Sequence, residues 1–190
     1  LKETQILGSI QSTLYWDQNT SMPKEGSSWR GEQLTYLAKT LHSRNSSDEF
    51  LNLINSAKNE LNKSSDILND EICSKKKNIE LLIKEFERQR KLDPDLVVKL
   101  AKAKSQGYES WQQAKKDSDF KIFLPYFKEL IILRREEANQ LSDELSPWET
   151  LAQPYEPDIN KDWLFNIFNP LKESIPSILE QINRVDKKKW

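Results

Sequence analysis

The chain has 190 residues, 36% of them hydrophobic and 31% charged, with 29 basic residues against 30 acidic ones, one cysteine and one histidine. That length allows one sizeable core or one large piece of something bigger. A net charge of −1, with both signs interleaved along the chain, removes the long-range field that draws nucleic acid, so no nucleic-acid partner is expected. Cys73 alone excludes internal disulfides and thiolate metal clusters, which fits a reducing, cytoplasmic setting. No apolar run approaches the ~20 residues needed to cross a bilayer. The opening Leu1-Lys2-Glu3-Thr4 has no signal-peptide order, and both ends lie within or just past helical patterns, so the chain reads as cut from something longer. Glycine is scarce, and no alternating β-branched run bounded by turn residues occurs. The expected fold class is all-α, a multi-helix array of long amphipathic helices over residues 1–190.

Ile6, Ile10 and Leu14 repeat at every fourth position and carry a first helix into Trp16-Asp17-Gln18. Periodicity then stops. Pro23 pushes Met22 out of the α region, Gly26 allows positive φ, and Ser27 or Ser28 can cap a second helix with Trp29, Leu34, Leu37 and Leu41. The stretch from Leu14 to Arg30 is therefore expected to be the ordered loop around which the rest of the chain packs.

Ser46-Ser47-Asp48-Glu49 caps a third helix marked by Phe50, Leu51, Ile54 and Leu61, and Ser64-Ser65-Asp66 opens a fourth that runs unbroken to Lys91. Asp93-Pro94 is a cap followed by proline in the first turn. The fifth helix carries Leu96, Val97, Leu100, Ala101 and Ala103, and Tyr108, Trp111 and Ala114 continue its face past Gly107. A sixth helix places Phe123, Leu124, Phe127, Leu130, Ile131 and Leu133 at helical spacing, tolerates Pro125 if it lies in the first turn, and ends near Leu145. Ser146-Pro147-Trp148-Glu149 is a capping box that opens a short helix, and Tyr155-Glu156-Pro157-Asp158 is a second ordered loop. Asn160 starts a last helical region in which Pro170 and Pro176 are expected to break or kink the helix.

With His42 as the only histidine, these residues hold no His-Glu-x-x-His zinc site and no paired Glu-x-x-His sequences. His42 is expected at the surface or at a helix cap. Glu136-Glu137, Asp117 with Asp119, and Asp143-Glu144 are expected to be solvated or matched with basic residues one turn away, as Arg134 and Arg135 could do. Asp17 and Glu156, each in a loop flanked by aromatics and prolines, are expected to cap or anchor those loops. Trp16, Trp29, Trp111, Trp148 and Trp163 are expected to pack in the core with their N–H groups bonded to carbonyls.

Three ordered landmarks carry a resemblance. The first is Leu14-x-Trp16-Asp17-Gln18-x-Thr20-x-Met22-Pro23-x-x-Gly26-x-x-x-Arg30-x-x-Gln33-Leu34-x-x-Leu37, followed by His42. The second is Trp111-x-x-Ala114-x-x-x-x-Asp119-Phe120-x-x-Phe123-x-Pro125. The third is Glu136-x-Ala138-x-x-Leu141 with Tyr155-Glu156-Pro157. Together they resemble the amino-terminal part of the carboxypeptidase Taq family of metallocarboxypeptidases. The family usually shows Tyr-Asp where this chain has Trp148-Glu149, and glycine where it has Asp158. The resemblance implies a larger helical metallopeptidase with a deep groove, in which zinc or cobalt activates a water to hydrolyse the last bond of a peptide substrate, and a homodimer. It also implies that the His-Glu-x-x-His helix and the third metal ligand lie further along, so this chain alone would bind no catalytic metal and be inactive. No catalytic or metal-ligating residue is assigned here. Trp16, Asp17, Met22, Pro23 and Arg30 are the candidates for positioning substrate or supporting the absent part. The alternative is a non-catalytic helical scaffold or interaction domain derived from such a peptidase. A wall of a larger enzyme would expose a large apolar face, and a self-sufficient domain would not.

Overall fold

The computed structural model describes residues 1–63, 70–142 and 144–184. Among them the regular elements are all helical: α1 (Lys2–Thr20), α2 (Ser27–Asn45), α3 (Asp48–Lys63), α4 (Asp70–Lys91), α5 (Pro94–Asp117), α6 (Phe120–Leu141), α7 (Pro147–Ala152) and α8 (Lys161–Arg184), with a 3-10 turn at Lys24–Gly26 before α2. The expected cap at Ser64-Ser65-Asp66 lies outside the described residues.

The chain forms two units, Leu1–Leu141 and Ser142–Trp190. In the first, α5 is the central element. It packs on α6 along one face and on α2 along another, while α1 lies on α2 and α3 on α4. The Leu14–Arg30 stretch, expected to organise the chain, meets the middle of α5 where Gln18 Nε2 lies 3.5 Å from Ser105 Oγ. Small residues explain the position of α5. Gly107 faces α6 so closely that a Cβ would meet Leu130 Cδ1 at 2.9 Å, and Gly31 of α2 faces Ser105 of α5, with a Cβ 3.3 Å from its Oγ. Leu92, Leu96, Leu100, Ala103, Leu133 and Leu141 close the core between α5 and α6. Gly107 therefore leaves the helix intact and brings the two helices together.

Several starts follow local chemistry. Ser47 Oγ accepts from Phe50 N at 3.2 Å to open α3. Asp93 accepts from Asp95 N at 2.7 Å, with Pro94 in the first turn of α5. Asp119 Oδ1 accepts from Lys121 N at 2.9 Å to open α6. Asp93 N also donates to Gln140 at 2.8 Å, tying the start of α5 to the end of α6. Helix α3 packs on α4 through Phe50 and Phe86, whose rings lie 6.2 Å apart, with Arg90 over the Phe86 ring and paired to Asp48.

Helix α6 stops at Leu141, earlier than Leu145, and Ser142 Oγ donates to the Leu145 carbonyl at 3.1 Å. Pro125 stands inside α6, beyond the first turn, where its ring deprives the Lys121 carbonyl of its helical donor.

In the second unit, Ser146 and Glu149 form the full capping box of α7. Glu149 also accepts from Lys161 N at 3.0 Å, and Gln153 binds both the Ile159 carbonyl and Asp158 N. Gln153, rather than the exposed Glu156, holds the loop. Asp158 adopts φ 65°, the left-handed conformation that glycine takes at no steric cost. Pro170 and Pro176 lie inside α8 without breaking it.

Candidate functional site

The end of α1 folds into a compact turn before α2. Ser21 N and Met22 N both donate to the Asp17 carbonyl, and Pro23 takes an extended conformation before the 3-10 turn. Gly26 has φ −78°, so the expected positive φ is absent. No serine side chain caps α2. The 3-10 turn runs straight into the helix and pre-pairs its first N–H groups, leaving Ser27 Oγ to donate back to the Lys24 carbonyl at 2.7 Å.

Arg30 clasps the turn. Its guanidinium donates to the Leu14 carbonyl, to the Asp17 carboxylate and, through Nε, to Gln33 Oε1 at 3.0 Å. The Arg30 side chain is 11% exposed and Asp17 35%. Each nitrogen of the fork makes one of these bonds, so Arg30 and Asp17 bind α1 to α2. Met22 lies over Gly26, its Cγ 3.5 Å from where a Cβ would stand.

Trp16 and Trp29 part from these neighbours, at 64% and 70% exposed, and Trp111, Trp148 and Trp163 are also exposed. The expectation of core indoles fails for all five, because no described element lies over the faces that carry them. Ile6 and Ile10 of α1 are exposed for the same reason. Other landmark residues are packing groups: Leu34, Leu37, Ala114, Ala138 and Leu141 are buried, and Phe120, Phe123 and Phe127 form a ring cluster at the start of α6.

His42 is 4% exposed, correcting the expected surface position of its side chain, though its carbonyl does accept from Ser46 N and Ser46 Oγ at the end of α2. Its Nδ1 lies 3.2 Å from Gln89 Oε1, and Gln89 Nε2 donates to Glu85 at 2.7 Å. Glu137, expected to be solvated or matched, is buried and paired with Arg134. The pairing with Arg134 is the one expected, while the burial of both groups was not foreseen because neither interrupts a helical pattern.

Both line a cleft of about 350 Å³ where α1, α2, α4, α5 and α6 converge. Tyr15 and Lys104 flank it. Burial pushes the Tyr15 hydroxyl pKa up. Burial also pushes the Lys104 ammonium down, Arg134 lowers it further, and Glu137 opposes the drop. A second, polar trough of about 310 Å³ lies between the 3-10 turn and α5, lined by Lys24, Ser27, Gln106, Gln113 and Tyr126 among others. Among the described residues no group of three or more histidines, cysteines, aspartates or glutamates could hold a metal ion. None of the helices described is long and apolar enough to cross a membrane.

The Carboxypeptidase Taq (M32) metallopeptidase family matches residues 1–189, and the chain belongs to it. It is 29% identical to Thermostable carboxypeptidase 1 of Thermus thermophilus, covering 95% of this chain and 36% of that protein. It is 28% identical to Carboxypeptidase 1 of Bacillus subtilis, with coverage of 96% and 35%. The solved structure described as "BsuCP Crystal Structure" superimposes with a TM-score of 0.85 at 26% identity, over 96% of this chain and 35% of that one. Pyrococcus furiosus carboxypeptidase, in a structure described as "Apo-Mg", gives 0.72 at 25% identity, over 96% and 35%. The chain thus spans about a third of the length of these relatives.

Proposed function

We propose that this chain is the amino-terminal helical portion of a metal-dependent carboxypeptidase that removes residues from the carboxy terminus of peptides. The match over residues 1–189 carries the reading. Zinc or cobalt is the metal of the intact enzyme in this reading, peptides its substrates and a homodimer its assembly. The metal ligands lie outside these 190 residues, so the chain alone hydrolyses nothing. Its part is to supply one wall of the groove and the scaffold behind it, with the Asp17–Arg30 clasp fixing how α1 meets α2.

Exposed apolar surface supports this reading over a self-sufficient scaffold. Trp163, Ile167, Leu171, Ile175, Ile178 and Ile182 form one stripe along α8, each at least 40% exposed, and α8 has no buried residue. A stripe of that length is far more apolar surface than a finished domain leaves to water.

The test is hydrolysis of a blocked dipeptide by the 190-residue chain, with zinc or cobalt added, beside a version extended through the downstream coding region. Activity confined to the extended chain is the expected result. Activity in the short chain would overturn the assignment of the metal site to the remainder, and inactivity of both would favour the scaffold.

A further inference from the structure

We propose that Met22 is a site of reversible oxidation whose sulfoxide forms as one epimer and is held by the polar cavity beside it. Met22 is the single methionine of the chain and is half-buried in the turn that joins α1 to α2. A thioether ordinarily fills an apolar gap. Here it borders a cavity of about 150 Å³ between that turn and α5, lined also by Gln18, Lys24, Ser27, Tyr108 and Gln112.

The two faces of the thioether differ. On one, Met22 Cγ and Sδ lie 3.5 and 3.8 Å from where a Gly26 Cβ would stand, so the backbone of the 3-10 turn crowds that lone pair of the sulfur. The cavity touches Met22 but not Gly26, so it lies on a different side, and its rim at Lys24 and Gln112 is exposed to solvent. A donor stands there as well. The Tyr108 hydroxyl accepts from Gln112 Nε2 at 3.1 Å, and its own proton has no acceptor among the described residues.

Oxidation by a peroxide needs no activated group, because the lone pair of the thioether is itself the nucleophile. It attacks one peroxide oxygen, and an S–O bond forms as the O–O bond breaks. The proton of the transferred hydroxyl passes to the departing hydroxide, which leaves as water, so the sulfur loses the electron pair that the peroxide gains. In open water both lone pairs react alike and give two sulfoxide epimers, each restored by its own reductase. At Met22 the turn backbone closes one face, so the oxygen arrives through the cavity and one epimer results. The product is a strong acceptor facing the Tyr108 hydroxyl, where the thioether was a weak one. The oxidised side chain thereby ties the turn to α5. The inference concerns this turn alone and does not depend on the peptidase reading.

The 190-residue chain is treated with hydrogen peroxide and digested, and the Met22 peptide is offered separately to a methionine sulfoxide reductase of each stereospecificity, with mass spectrometry reading the oxygen gained and lost. The expected result is oxygen on Met22 with one epimer in about fivefold excess or more, the ratio that a modest difference between the two faces supports. Tyr108→Phe keeps the ring and removes the hydroxyl, so oxidation should lower its thermal midpoint by about 2–4 °C more than it lowers that of the parent chain. No oxygen on Met22 at a peroxide concentration that oxidises free methionine would overturn the proposal. So would equal amounts of the two epimers, or the same midpoint shift in both chains. The epimer ratio is read on the unaltered chain, so the outcome stands even if the variant does not fold.

Discussion

Arg30 illustrates how one side chain can join two helices. It adds a bond to the Leu14 carbonyl, which already belongs to the ladder of α1, and pairs with Asp17 in the same fork. Arg30→Met should destabilise the first unit by roughly 1–3 kcal/mol in denaturant unfolding, since it strands the half-buried Asp17 carboxylate. Arg30→Lys should recover little, because one ammonium cannot reproduce the three-way geometry. Glu149 shows a second kind of residue-scale control. The Ser146 hydroxyl, first among its partners, and then the N–H groups of Lys161 and Ser146 hold its carboxyl below the usual glutamate range. A depressed carboxyl stabilises the folded form above its ordinary pKa, and the contribution is lost as pH falls through the lowered value. Ser146→Ala should therefore move the Glu149 titration, followed by carboxyl NMR, up toward an ordinary glutamate. A titration that stayed in place would show that the backbone donors alone set it.

At the scale of elements, the first unit depends on how closely α5 approaches its two neighbours. Gly107→Leu should cost about 1–3 kcal/mol, because the new side chain must displace Leu130 and Phe123 from the α6 side of the contact. The unfolding midpoint measures this, and an unchanged midpoint would mean that α6 can retreat freely. Gly107 also marks the limit of what the chain discloses before it is folded. The caps at Ser47, Asp93 and Ser146 were legible because each joins groups two or three residues apart, and the apolar repeats announced nearly every helix. Which helix is central was not legible, since small residues at 31, 105 and 107 acquire their meaning only across a helix pair. The loop residues stood out as a group, yet separating the clasp of Asp17 and Arg30 from the exposed Trp16 needed the third dimension. The pairing of Glu137 with Arg134 was legible one turn away, but the burial of His42 and Glu137 was not, because burial of a polar group on a helix is decided by partners distant in sequence.

For the whole molecule, the exposed indoles and the apolar stripe of α8 are one observation at different places. The indoles were expected inside because they lie on apolar faces or at helix ends, and the α8 stripe repeats the same helical spacing; what the described residues lack is a surface to set against either. In the peptidase reading, the remaining two-thirds of the polypeptide supplies that surface, and the difference can be measured. Leu171→Ala and Ile178→Ala remove apolar atoms from a helix face that nothing described covers, so in the 190-residue chain each should change unfolding free energy by no more than about 0.5 kcal/mol. In the extended chain the same side chains would be covered, and each truncation should cost roughly 2–5 kcal/mol through lost burial and the cavity left behind. Equal, small effects in both chains would mean that α8 stays bare in the longer protein, and the case for this chain as a packed wall of a carboxypeptidase would lose its structural support.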